Sequence, residues 1–284
     1  CSSSSLRALR LRCAAELREP RFVNRPEGAE PCLCADSWHD APRSPMRRLL
    51  ALAAAALVLA GCNRLSVWRP PAAGAEQPEV VVLVHAIWRW PGYSMRRLWQ
   101  EGIRRGYEVV YFRYSGLLTS LDANTDRLAE VLEEYRGRRV NFVTHSYGGL
   151  IARNLMERFH TSDVDRLVMI GTPNQGSNFA LRWCRTVPYR IIFGLGGVEL
   201  TPNAARRLAV PDCEFGIIAG TGSAINPYTV GENDGVVGVT EVYLPGAREF
   251  RVVPSAHEAL QNNPVVVEAA YQFLEAGTFG LDPI

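Results

Sequence analysis

The chain has 284 residues, 47% of them hydrophobic and 21% charged, with a formal net charge of +2. These values exclude a wholly disordered, collagen-like or disulfide-framework chain, and the near-neutral balance excludes an electrostatic footprint for nucleic acid. All basic residues are Arg and none is Lys, a bias that GC-rich coding produces without chemical meaning. Residues 1–61 carry nine Arg against six acids, while the remainder is nearly neutral. Residues 1–45 begin with Cys1, are rich in Arg, Ser, Pro and Cys, and show no sustained period. They read as a mis-called start upstream of Met46. A rival reading takes Ser2 to Arg12 as an Arg- and Ser-rich transit peptide. Cys1, Cys13, Cys32 and Cys34 lack the spacing of a metal site.

Residues 46–61 form the next unit. Met46-Arg47-Arg48 is basic, Leu49 to Ala60 is an unbroken apolar run, and Leu59-Ala60-Gly61-Cys62 follows. A basic start, a short apolar stretch and small residues at a cut site describe a secretory signal peptide. As a helix the apolar run would rise only about 18 Å, too little for a hydrocarbon layer of ~30 Å. The Leu-Ala-Gly-Cys ending resembles the lipobox of bacterial lipoproteins. That resemblance implies cleavage before Cys62, lipid on its thiol and amino terminus, and an exported protein anchored at a membrane of a bacterial cell envelope. An Ala/Leu-rich core helix is the alternative. Residues 62–78, with Pro70, Pro71, Gly74 and Pro78, read as the lipidated cysteine and a flexible tether.

The folded domain is expected over residues 79–284. Strands are predicted at Val80 to Val84, Glu108 to Phe112, Val140 to Val143, Arg166 to Ile170, Phe215 to Ile218 and Phe250 to Val253. Helical patterns cover Met95 to Arg105, Leu121 to Tyr135, Ser146 to Phe159 and Pro264 to Leu274, the last with Pro264 suited to a first turn. Short apolar strands alternating with helices predict an α/β fold, a mainly parallel sheet covered on both faces. Chemistry in such sheets sits at the carboxyl ends of the strands.

The third strand ends in Thr144-His145-Ser146-Tyr147-Gly148-Gly149 with a helix immediately after. This is the setting of a nucleophile elbow, where a tight turn lifts a serine hydroxyl above the sheet and flanking glycines provide room. Thr144 stands where the pattern has its first Gly. A helix-capping serine is the bland alternative, although a cap needs no glycine pair. A serine hydroxyl needs a base. Of the five histidines, His257 follows the last strand and fits the chain order Ser, acid, His. His39 lies in the doubtful leader, His145 should point away from its neighbour Ser146, His160 ends a helix and His85 follows the first strand. The acid is expected between Ser146 and His257. Asp234, in Glu232-Asn233-Asp234-Gly235, is preferred over Asp212, which precedes the fifth strand; a surface Asp-Gly turn is the alternative. Its loop lacks the ladder of a calcium site, and no metal or cofactor is expected. The oxyanion donors are expected to be the backbone N–H groups of Tyr147 and Ile87.

Val84-His85-Ala86, Thr144 to Gly149, Gly171-Thr172-Pro173-Asn174-Gln175-Gly176-Ser177, Asp234-Gly235-Val236-Val237 and His257 occur in that order. Together they resemble the bacterial lipase-like and esterase branch of the α/β-hydrolase fold, over roughly Val80 to Leu274. Members carry His-Gly after the first strand, and Ala86 departs from that. The resemblance implies a serine hydrolase acting on carboxylic esters, lipid-like ones first. Two other readings use the same residues: a catalytically weak lipoprotein that binds a lipid or protein partner, and an acyltransferase. Residues 178–214, rich in aromatic and aliphatic side chains, read as a short cap over an acyl pocket or as part of the core. Cys184 and Cys213 flank that segment, and export would favour a disulfide between them over two buried thiols.

Overall fold

The computed structural model describes residues 65–71, 77–88, 95–159, 163–223, 228–229 and 231–280. The leader, the apolar run, Cys62, His39 and His160 lie outside the described residues. Seven strands form one sheet: β1 (Ser66–Trp68), β2 (Val80–Val84), β3 (Glu108–Phe112), β4 (Val140–His145), β5 (Val164–Ile170), β6 (Glu214–Gly220) and β7 (Glu249–Val253), in the order β1-β3-β2-β4-β5-β6-β7. Every pairing is parallel except β1 with β3. The helices are α1 (Arg96–Arg104), α2 (Leu121–Leu132), α3 (Tyr147–Phe159), α4 (Asn178–Trp183), α5 (Val187–Glu199), α6 (Pro202–Ala205), α7 (Val239–Val242), α8 (His257–Leu260) and α9 (Pro264–Ala276).

The central strands are apolar without alternation because both of their faces are covered. In β2, Val80, Val82 and Val84 join a core cluster with Leu150, Ile151 and Leu155 of α3. Val81 and Leu83 turn to the other face, with Leu98 of α1 and Val266, Ala270 and Phe273 of α9. Helix boundaries follow local chemistry. Ser120 accepts from Ala123 N at the start of α2, and Asn263 accepts from Val265 N ahead of Pro264 in α9. Gly277 closes α9 at φ 71°, with its N–H donating to Phe273 O.

Two expectations are corrected. Residues 62–78 are not all tether, because Ser66–Trp68 pairs antiparallel with Tyr111 to Val109 as an edge strand. Arg69 then anchors this edge by an ion pair of 2.7 Å to the buried carboxylate of Glu108. Cys184 and Cys213 are not joined to each other in a disulfide. Their sulfurs have separate surroundings: Cys184 Sγ faces Leu181 O and Cys213 Sγ faces Met156 Sδ, each at 3.9 Å. Burial and the nearby Asp212 push the Cys213 thiol up to about 12, so it stays protonated and unreactive.

Candidate active site

Ser146 is the one non-glycine residue with positive φ among the described residues, at 55°. It sits between the end of β4 and the first residue of α3, a left-handed conformation that L-residues adopt at an energetic penalty and that a surrounding structure must enforce. The enforcement is visible. Ser146 N donates to Ile170 O at 2.9 Å on β5, and Gly149 N donates back to Ser146 O at 3.0 Å. A Cβ on Gly148 would lie 2.4 Å from Val84 O, and one on Gly149 would lie 2.1 Å from Thr172 Oγ1. Gly148 is therefore required by the close approach of the β2 backbone and Gly149 by the Thr172 side chain, beyond what a helix cap needs. Thr144 fits its place: it is fully buried, and its hydroxyl donates to Val168 O at 3.2 Å.

Asp234 and His257 meet across 23 residues of sequence. His257 Nδ1 lies 2.7 Å from Asp234 Oδ2. The other carboxylate oxygen accepts from Val236 N at 3.0 Å and Val237 N at 2.7 Å, and His257 N donates to Asp234 O at 2.9 Å. With both oxygens occupied, the carboxylate cannot rotate away. An acceptor-only carboxylate fixes the hydrogen on Nδ1 and leaves Nε2 with a free lone pair. Burial disfavours the imidazolium, but the charge of Asp234 and its hydrogen bond outweigh that, and the His257 pKa lies above its ordinary value. The acid loop is fixed in turn by Glu241 of α7, which accepts from Gly238 N at 2.8 Å and from Asn178 N at 2.7 Å.

His145 lines the same cavity as Ser146, and it has a role that the spacing did not reveal. Its Nε2 lies 3.1 Å from His257 O, and the two rings are 4.8 Å apart. Burial, and then the proximity of His257, push its own pKa well below the ordinary value, so it stays neutral beside His257. His85 is also buried and stacks on Tyr114, with ring centroids 4.2 Å apart. Tyr114 Oη lies 2.6 Å from His85 O and 3.0 Å from Ala86 O, fixing the loop that carries Ile87. No local sequence signal marks Tyr114 or the His145 contact, since each partner is remote along the chain.

Ser146, His257, Ala86 and Ile87 line one cavity of about 370 Å³. Trp88, Phe179, Phe193, Leu200, Tyr228 and Val236 give it a mainly apolar wall. Helices α4 to α6, between β5 and β6, supply Phe179 and Phe193 to the cavity wall, while Ala180, Tyr189 and Ala205 of the same segment join the core cluster, so the segment read as cap or core has both contacts. Trp88 Nε1 donates to Ile192 O at 2.9 Å, joining the Ile87 loop to α5. Tyr147 opens α3, so its N–H is among the helical donors with no partner inside the helix. Trp99 packs against the opposite core cluster. Among the described residues, no group of three His, Cys, Asp or Glu could hold a metal ion.

The sheet order, the strand-to-helix position of Ser146 and the Asp234–His257 loops can be set beside solved structures. A lipase from Bacillus licheniformis, BlEst2 in its mature form, superposes with a TM-score of 0.59 over 76% of this chain and 98% of that one, at 18% identity. The chain has the α/β-hydrolase fold. A metagenomic carboxyl esterase, MGS0156, matches at TM-score 0.53 over 68% of each chain with 17% identity. An α/β-hydrolase fold protein from Chitinophaga pinensis matches at 0.50, over 75% of this chain and 93% of that one, with 13% identity. A family described as a domain of unknown function, DUF7379, matches residues 67–205, from the edge strand to α6 and short of Asp234 and His257. No curated protein matches the chain.

Proposed function

We propose that this protein is a serine hydrolase that cleaves carboxylic esters with lipid-like acyl groups. The observation that carries the reading is the Asp234–His257 pair at 2.7 Å opening on the same apolar cavity as Ser146 in its enforced turn. The Ser146 hydroxyl adds to the acyl carbonyl carbon as His257 Nε2 takes its proton. The backbone N–H groups of Ile87 and Tyr147 bind the oxyanion, where each donor contributes about 3–4 kcal/mol to transition-state stability. His257 returns its proton to the departing alcohol. Water, deprotonated by the same nitrogen, then attacks the acyl-enzyme and releases the acid. No cofactor enters the cycle.

Two observations favour lipid-like acyl groups. The cavity wall is mostly aliphatic and aromatic. Beside it, the outer face of α5 exposes Val187, Ile191, Ile192 and Leu195, with Ile191 75% exposed. Residues 178–198 add three Arg and no acid, a composition suited to an anionic lipid–water boundary. We also propose that the protein is exported and anchored through acylated Cys62. Mass spectrometry of the membrane fraction should find a mature chain that starts at Cys62 and carries acyl chains. An unmodified chain retaining Met46 would overturn that part alone. For the activity itself, a series of p-nitrophenyl esters from acetate to palmitate should show serine-dependent turnover that peaks above acetate. Turnover confined to acetate would overturn the lipid-like substrate.

A further inference from the structure

Glu199, the last residue of α5, joins three elements that meet behind the oxyanion loop. Its carboxylate accepts from Leu121 N, the first N–H of α2, at 2.9 Å to each oxygen. It also accepts a short hydrogen bond from the hydroxyl of Tyr147, the first residue of α3. Burial, offset in part by these two donors, raises its pKa. The rest of this half-helix presses on the same place. After the turn at Gly194 (φ 59°), Leu195 N donates to Leu117 O at 3.1 Å and Gly196 N to Gly116 O at 2.8 Å. A Cβ on Gly196 would lie 3.1 Å from both Ile87 Cδ1 and Tyr147 Cζ, and one on Gly116 would lie 2.9 Å from Ile87 O. The cap thus rests on the two residues whose N–H groups face the reacting carbonyl in the proposed mechanism.

We propose that Glu199 is a positioning residue for the oxyanion hole: by holding the Tyr147 hydroxyl and the start of α2, it fixes the first turn of α3 and the Tyr147 N–H. The physical reason is tolerance. An oxyanion donor works over a few tenths of an ångström, and a misplacement of about 1 Å can slow a reaction roughly 100-fold. Tyr147 is fully buried, and its ring sits between Tyr114 and Gly196, so its hydroxyl is the handle by which the cap grips α3. The cap then contributes to the chemical step as well as to the pocket wall.

The inference rests on the hydrolase reading, and its test separates the two. Wild type, Glu199→Ala, Glu199→Gln, Tyr147→Phe and the double variant Glu199→Ala/Tyr147→Phe are assayed with p-nitrophenyl butyrate and labelled with a fluorophosphonate. Glu199→Ala should lower kcat about 10- to 100-fold and leave KM within about threefold. Glu199→Gln, whose amide oxygen still accepts from the Tyr147 hydroxyl although its NH2 now faces the Leu121 N–H, should recover most of that loss. Tyr147→Phe should match Glu199→Ala, and the double variant should lose no more than the worse single one. Wild-type kcat in Glu199→Ala, or multiplied losses in the double variant, would overturn the positioning role and leave the hydrolase standing. If Glu199→Ala does not fold, Tyr147→Phe against Glu199→Gln decides: equal kcat in those two overturns it. An unlabelled, inactive wild type would overturn the hydrolase reading and this role with it.

Discussion

In the proposed mechanism His257 acts as a base only when neutral; burial lowers its pKa, but Asp234 beside it outweighs that and holds it above the ordinary 6.5. Activity should therefore rise with pH through a value above 6.5. Asp234→Asn removes both the charge and the hydrogen bond, so its activity limb should move to lower pH while kcat falls by about 10⁴-fold. A pH profile of kcat/KM for the two proteins measures this, and an unmoved limb would separate Asp234 from the base. Thr144 calls for a different expectation. Glycine at that position would match the motif better on paper, yet Thr144 is fully buried and donates to Val168 O. Thr144→Gly should lower stability by about 1–3 kcal/mol, several degrees in Tm for a domain of this size. Its rate of fluorophosphonate labelling should not rise. Faster labelling at unchanged Tm would show that the threonine strains the turn.

Among the elements, α1 and α9 are tied by charge across the sheet face opposite α3. Arg105 follows α1 and reaches Glu101, Glu268 and Glu275 at 2.6, 2.7 and 2.9 Å. The hydrogen bond from Arg104, and then those of Arg105, hold the Glu101 carboxyl down to about 2 in spite of burial. A depressed carboxyl pKa gives stability that is present above its ordinary 4.5 and is lost as pH falls toward about 2. Tm should accordingly drop over that range, and less steeply in Glu101→Gln. Parallel acid curves for the two proteins would contradict the network. The long strands and helices were legible in the sequence because β2 to β6 are buried on both faces over most of their length and each carries a short, mainly apolar run. The edge strand β1 was not, since three residues among prolines carry no period and owe their shape to the register with β3. The cap helices were hidden for the same kind of reason. Gly194, Gly196 and Gly197 break any helical pattern, and tight contacts with residues 116 and 117 and with neighbouring cap side chains set their place. In the candidate site, Ser146 announced itself by the glycine pair and His257 by its place after the last strand. The supports His145, Tyr114 and Glu199 meet their partners only in space.

For the molecule as a whole, the cap gives the cavity a second boundary with an apolar exterior. Ile191 and Ile192 point outward from α5 while Phe193 lines the cavity within. Ile191→Ser/Ile192→Ser should leave turnover of a soluble short-chain ester within about twofold, since exposed sites seldom affect packing. Turnover of the same acyl chain presented in anionic vesicles should fall several-fold, and an equal loss on both substrates would place the effect inside the pocket. The central claim, that Ser146 is the nucleophile of an ester hydrolase, is tested most directly by one comparison: fluorophosphonate labelling and p-nitrophenyl ester turnover of residues 63–284, wild type beside Ser146→Ala. The expected result is labelling and turnover in the wild type, with both lost by several orders of magnitude in the variant. Labelling or turnover that survives in Ser146→Ala, or a folded wild type that shows neither, would contradict it.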